Sequence, residues 1–244
     1  MSSDAAGTVD GTAAAEEENA VVADDRFVVI DTETTGLDPA HDRVVSIGLV
    51  PVIRGAVARE AARHVLVSPG VPIPPTSTAI HGIVDTDVQD APELAEAVAD
   101  LSGLWSGQRL AGHNLEFDLA FLAPAGLQAE QTIDTLAASR LLWPRRGTSH
   151  TLDAVADRLD VTPEDRHTAV GDAITTAEVL CALLPLLRER GLATPDAVTA
   201  AIQRQNAYRS RLRRSIRRRS RNRRPSPGQA RLRRRTLQSA RPRR

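Results

Sequence analysis

Four acidic residues and one histidine are distributed over three short motifs of this 244-residue chain. Asp31 and Glu33 lie in FVVIDTETTGL, Asp118 in GHNLEFDLAFL, and His167 and Asp172 in RHTAVGDA. FVVI is an apolar, largely β-branched run that reads as a buried strand. Side chains at i and i+2 of a strand share a face, so Asp31 and Glu33 stand side by side where that strand ends. Two carboxylates so close repel each other, and burial removes the water that would screen them. A pair of divalent cations resolves the conflict, and such a pair performs phosphodiester chemistry.

Each motif alone also has a structural reading. An acidic pair can sit at a solvated strand end. Asp118 falls in the first turn of a helix that carries Phe117, Phe121 and Leu122, where the helix dipole already favours an acid. His167 precedes Asp172 by five residues, which on one helix would set them about 140° apart. The histidine is therefore expected on the loop leading into the helix, free to reach over a site that Asp172 lines. Gly36, in TTGL, permits a tight turn and a close backbone approach after the acidic pair.

The elements that must position these residues can be read from the same chain. FVVID is one strand, and VVSIGLVPVI and AARHVLVSP, separated by a turn at Gly55, complete an antiparallel meander. VPIPPTS is expected to be a loop. ELAEAVADLSGLW is an amphipathic helix beginning near Asp90 or Pro92. RLAGH and TIDT are short strands, each leading into a helix (FDLAFLA, capped by Asn114, and LAASRLLW). LDAVADRL and VGDAITTAEVLCALL are further helices, the last ended or kinked by Pro185. A meander followed by strands alternating with helices gives an α/β mixed sheet flanked by helices.

With those elements in place, the three motifs resemble the DEDDh (DnaQ-like) family of 3′–5′ exonucleases, a branch of the ribonuclease-H-like fold. DTETTGL matches the first family motif, HNLEFD the second and HTAVGD the third, over about residues 26–190. The resemblance implies that Asp31, Glu33, Asp118 and Asp172 hold two Mg²⁺ or Mn²⁺ ions, with Asp31 between them, and that His167 is the general base. It implies hydrolysis from the 3′ end to nucleoside 5′-monophosphates. Thr34, Thr35 and Leu37 would cradle the terminal nucleotide with Phe117 packed nearby. AIHGI resembles the segment around a substrate-contacting histidine of bacterial proofreading subunits, pointing to His81. Those subunits often carry a glutamate five residues earlier, where this chain has Thr76. Asp134, in TIDTL, also fits the pattern and reads as structural. Similarity to the epsilon proofreading subunits of bacterial replicative polymerases implies DNA as substrate and a separate polymerase subunit as partner. An RNA-trimming exoribonuclease of the same family is the alternative, and a catalytically idle nucleic-acid-binding module is another.

The formal charge of zero conceals a division. Residues 1–203 hold 13 basic against 31 acidic side chains, a net of −18, and residues 204–244 hold 18 arginines and no acid. With no lysine in the chain, every side-chain cation other than histidine is a guanidinium, suited to bidentate phosphate contact. Three regions follow: an acidic, disordered segment over 1–25, a catalytic domain over 26–203, and an arginine-rich disordered tail over 204–244. The tail reads as a nucleic-acid tether, though it could be a solvated tail or meet an anionic membrane surface. One cysteine, Cys181, excludes an internal disulfide and suits a reducing compartment. Neither a signal peptide nor an uncharged apolar stretch of transmembrane length is apparent, so the expectation is a soluble cytoplasmic protein with no membrane association.

Overall fold

The strand β1 (Arg26–Thr34) is the axis on which the site is built. In the computed structural model, which describes residues 26–129 and 131–222, β1 pairs antiparallel with β2 (Val44–Ile53) over its whole length. Along its other edge it pairs parallel with β5 (Arg109–Gly112), which in turn pairs parallel with β6 (Thr132–Asp134). The outer edge of β2 is covered by β3 (Ala56–Val57) and β4 (Arg63–Leu66). The sheet order is β3-β2-β1-β5-β6, with β4 also on β2. Arg54 and Gly55, both at positive φ (54° and 73°), form the tight turn between β2 and β3, the backbone that a two-residue hairpin connection favours. The mixed sheet expected from the sequence is present, and β3 adds a short edge strand to the meander.

Helices cover both faces, and the alternation of β1 decides which residues meet which helix. Val28 and Ile30 face α3 (Leu94–Trp105) and α4 (Leu115–Leu122), in a core that includes Leu101, Trp105, Leu115, Phe121 and Leu122. Phe27 and Val29 face α7 (Ala169–Glu189), packing with Ala173, Ile174, Ala177, Leu180 and Leu184. The remaining helices are α1 (Pro75–His81), α2 (Asp85–Val88), α5 (Thr135–Leu142), α6 (Leu152–Arg158) and α8 (Pro195–Asn222). α7 is long and apolar enough to cross a membrane, but two thirds of that stretch (67%) is buried against the domain, as expected of a core helix.

Several boundaries differ from the sequence reading for identifiable reasons. The end of VPIPPTS is helical, because Pro75 suits the first position of α1, where no amide hydrogen bond is lost. α3 begins at Leu94 with Glu93 as its cap residue, later than Asp90 or Pro92. Pro185 does not end α7, which continues to Glu189; the burial of Leu183, Leu184 and Leu187 around it offsets the lost hydrogen bond. Asn114 is the N-cap of α4, yet it adopts a left-handed conformation (φ 70°) and its side chain makes no capping bond.

The chain divides into two compact units between Ala200 and Ala201. Residues 204–222, expected to be disordered, belong to α8. Arginine, glutamine, alanine and leucine are good helix formers, and neither glycine nor proline occurs between Pro195 and Pro225. Residues 1–25 and 223–244, which carry the acidic segment and the rest of the tail, lie outside the described residues.

Candidate active site

Asp31 and Glu33 occupy the α7 side of β1, as the spacing requires. What brings Asp172 to them is a glycine in the neighbouring strand. Gly48 is the register partner of Asp31, and a Cβ at that position would lie 2.1 Å from the carbonyl oxygen of Ala169. Only a residue without a side chain lets the first residue of α7 press onto the sheet there. Asp172 follows within the first turn of that helix, whose N-terminus Thr168 caps by accepting from Gly171 N at 3.1 Å. Carboxylate oxygens of Asp31, Glu33 and Asp172 then lie within 4.8 Å of one another.

Asp118 approaches from the α4 side. It is 3% exposed, and Thr32 Oγ1, one residue on from Asp31, donates to its Oδ1 at 2.7 Å. α4 itself is fixed by Asp134, whose Oδ1 accepts from Asn114 N at 3.0 Å and from Leu136 N at 2.9 Å. One carboxylate thus anchors the starts of both α4 and α5, the structural part read for it from the sequence.

This concentration of acid shows in the proton affinities. The Asp31 carboxyl is pushed well above its usual range, first by burial and then by the charges of Asp118, Asp172 and Glu33. Burial, with Asp172 next, raises Glu33 to about 8. Asp118 rises to about 7 through burial, against which the Thr32 hydrogen bond acts. Hard oxygen donors that repel one another in a partly dry pocket match the requirements of Mg²⁺ or Mn²⁺. The positive charge facing them is Arg166, which the sequence reading passed over. Its Nη1 pairs with Asp172, and its Nε donates to Asp153 Oδ1 at 2.5 Å.

His167 lies on the loop before α7, as expected, in a left-handed conformation (φ 65°) and exposed to solvent. The loop is pinned to α7. A Cβ on Gly171 would meet Asp165 O at 2.4 Å, Glu164 N donates to Thr175 Oγ1 at 3.0 Å, and Arg59 ties Glu164 to Glu178. His167 is not among the residues gathered with the carboxylates.

The other candidates cluster around the turn after β1. Thr34 and Thr35 are buried, and their hydroxyls serve the turn itself. Thr34 Oγ1 donates to Gly36 O at 2.6 Å, and Thr35 Oγ1 accepts from Arg43 N at 2.9 Å. Gly36 is needed because a Cβ there would lie 2.4 Å from the Asp42 carboxylate, which accepts from Asp38 N at 2.8 Å. Leu37, at the tip, is 84% exposed. α1 docks on this turn through Ser77 Oγ, which donates to Thr35 O at 2.7 Å. At the end of α1, His81 is buried, with Nδ1 accepting from Ile83 N at 3.1 Å; burial lowers its proton affinity, against which a hydrogen bond with the Thr34 backbone acts. Phe117 packs on Phe121 with ring centroids 4.9 Å apart.

Comparison with known proteins gives the chain a family and a fold. The RNase_T family model, described as an exonuclease, matches residues 28–180, which include all five motif residues. The chain belongs to this exonuclease family. A DNA polymerase III subunit epsilon-like protein of Rhodobacter capsulatus is 40% identical over 186 residues, 73% of this chain and 26% of that protein. The PolC-type DNA polymerase III of Bacillus subtilis is 30% identical over 192 residues, 76% of this chain and 13% of the polymerase. The chain therefore spans only a minor part of these relatives. Among solved structures, Exonuclease X in complex with 5′ overhanging duplex DNA superposes with a TM-score of 0.58 at 27% identity, covering 70% of this chain and 99% of that one. Escherichia coli Exonuclease I in complex with a dT13 oligonucleotide gives 0.57 at 18% identity, covering 68% and 43%. The sheet and helices form the ribonuclease-H-like fold of these exonucleases, a family that depends on divalent metal.

Proposed function

We propose that this chain is a metal-dependent 3′–5′ exonuclease that shortens DNA from its 3′ end, releasing nucleoside 5′-monophosphates in proofreading or repair. The observation that carries the reading is the convergence of Asp31, Glu33 and Asp172 within 4.8 Å, with Asp118 joined to the same strand through Thr32. Asp31, Glu33, Asp118 and Asp172 would hold two Mg²⁺ or Mn²⁺ ions. Bound there, such ions would lower the pKa of a water and offset the charge of the phosphate.

The remaining steps belong to the chain's own residues. His167 takes the proton of the attacking water on a ring nitrogen, a task suited to imidazole near neutral pH. As the new P–O bond forms, the bond to the 3′-oxygen of the preceding nucleotide breaks and the terminal nucleotide leaves. Leu37 and Phe117 offer apolar surface to the terminal nucleoside. Thr34 and Thr35 shape the turn beneath it, and His81, buried at the end of α1, backs that turn.

DNA is favoured over RNA because the relatives are named for DNA polymerase III and the structural neighbours are bound to DNA. The same relatives suggest a polymerase partner and a cytoplasmic location. The 18 arginines from residue 204 onward support a nucleic-acid tether, since a net-negative body acting on a polyanion gains from a positive element. The deciding experiment compares 3′-labelled single-stranded DNA, mismatched duplex and RNA, each with Mg²⁺, Mn²⁺ or chelator. Stepwise loss of DNA from the 3′ end with either cation, abolished by chelator, is expected. Faster loss of RNA would move the assignment to the exoribonucleases, and loss that persists in chelator would end the metal-dependent reading.

A further inference from the structure

Arg166 joins two carboxylates in unlike surroundings. Asp172, its Nη1 partner, keeps only 11% of its side chain exposed and belongs to the acidic group, whereas Asp153, its Nε partner on α6, is 62% exposed. The Arg166 side chain between them is 24% exposed. Arginine cannot shed its proton to escape burial, so it remains a fixed positive charge beside acids that repel one another. A divalent cation at Asp31, Glu33 and Asp172 would neutralise the same carboxylate that Arg166 holds. The two positive charges then compete for Asp172, and Asp153 gives the arginine a second partner that needs no displacement.

We propose that Arg166 is a built-in counter-ion, pairing with Asp172 until a divalent cation displaces it and then falling back on Asp153. The inference rests on the reading that these carboxylates hold divalent cations. Two neighbouring substitutions should then act in opposite directions. Arg166→Gln removes the competitor, and Mn²⁺ should bind about three- to tenfold more tightly. Asp153→Asn removes the fallback, leaves Arg166 concentrated on Asp172, and should weaken Mn²⁺ binding by a similar factor. If Arg166 instead oriented Asp172 for the metal, Arg166→Gln would weaken binding. If both residues were merely structural, the two changes would shift affinity in the same direction.

The test is calorimetric titration of the full chain with Mn²⁺ in the absence of nucleic acid, alongside thermal melts in EDTA. Opposite shifts in affinity, with Arg166→Gln melting below wild type in EDTA and gaining more from added Mn²⁺, support the proposal. Unchanged or weaker binding by Arg166→Gln, or shifts of one sign, overturn it while leaving the metal site standing. Failure of the wild type to bind Mn²⁺ overturns the metal reading and this one together. Should Arg166→Gln not fold without a cation, Asp153→Asn decides alone: weaker Mn²⁺ binding than wild type supports the proposal, and unchanged or tighter binding overturns it.

Discussion

Gly48 stands across the β1–β2 ladder from Asp31, and the Ala169 carbonyl fills the space its side chain would need, 2.1 Å from an added Cβ. The acidic group exists because a strand and a helix 121 residues apart in sequence touch at a residue with no side chain. Gly48→Ala should force α7 off the sheet, destabilise the protein by about 1–3 kcal/mol and carry Asp172 away from Asp31. Melting temperature and hydrolysis rate together check this: a variant that melts and cleaves like wild type would show that the contact has no such part.

Asp31→Asn should abolish hydrolysis while leaving the metal-free protein as stable as wild type or more so, since it removes one of several mutually repelling acids. Melts in EDTA and product release from 3′-labelled DNA separate the two effects. A wild-type rate would remove Asp31 from the metal ligands.

The metal-free protein should lose stability as pH rises. Glu33, raised to about 8 from an ordinary value of 4.5, and Asp118, raised to about 7 from 3.8, bind protons more tightly in the fold than in the unfolded chain. Their contribution is complete below the unfolded values and is lost as pH climbs through the folded ones. Melts in EDTA from pH 4.5 to 8.5 should therefore decline, and saturating Mn²⁺ should flatten the decline. A metal-free protein that grows more stable over that range contradicts the raised values.

His167→Ala should lower the hydrolysis rate by about 10²–10⁴-fold with Mn²⁺ affinity retained, because the histidine is not among the gathered carboxylates. Titration showing lost Mn²⁺ binding would make it a ligand instead.

Deleting residues 204–244 should flatten the salt dependence of DNA binding, as expected when cationic contacts to phosphate are removed. Binding constants measured across a salt series decide it, and an unchanged slope would leave the arginines without a share in binding.

The acidic motifs were legible in the sequence because local rules govern them. An apolar run, a two-residue spacing and a helix start suffice to place Asp31, Glu33 and Asp118 on their elements. What was not legible depends on contacts between distant segments. Thr32 reads as one polar residue in a strand until Asp118 arrives from 86 residues away. The glycine of VVSIGLV was a signal in retrospect, since a glycine inside a β-branched strand often marks a close approach. Arg166, beside His167 and six residues before Asp172, looked like an ordinary loop arginine, because nothing local reveals that it faces a cluster of acids. Over 204–222 the charge density of the arginines points to disorder, whereas their helix propensity is what α8 follows.

The alternation of β1 has a consequence for how this chain can change. Its odd positions supply Phe27, Val29 and the two carboxylates to the α7 layer, and its even positions supply Val28, Ile30 and the Thr32 hydroxyl to the other. Inserting or deleting one residue between Phe27 and Ile30 would invert that phase, turning the acids toward α3 and α4 and their apolar neighbours toward α7. Substitutions among valine, isoleucine and leucine preserve the phase, so this segment should tolerate exchange of its side chains far better than any change in its length.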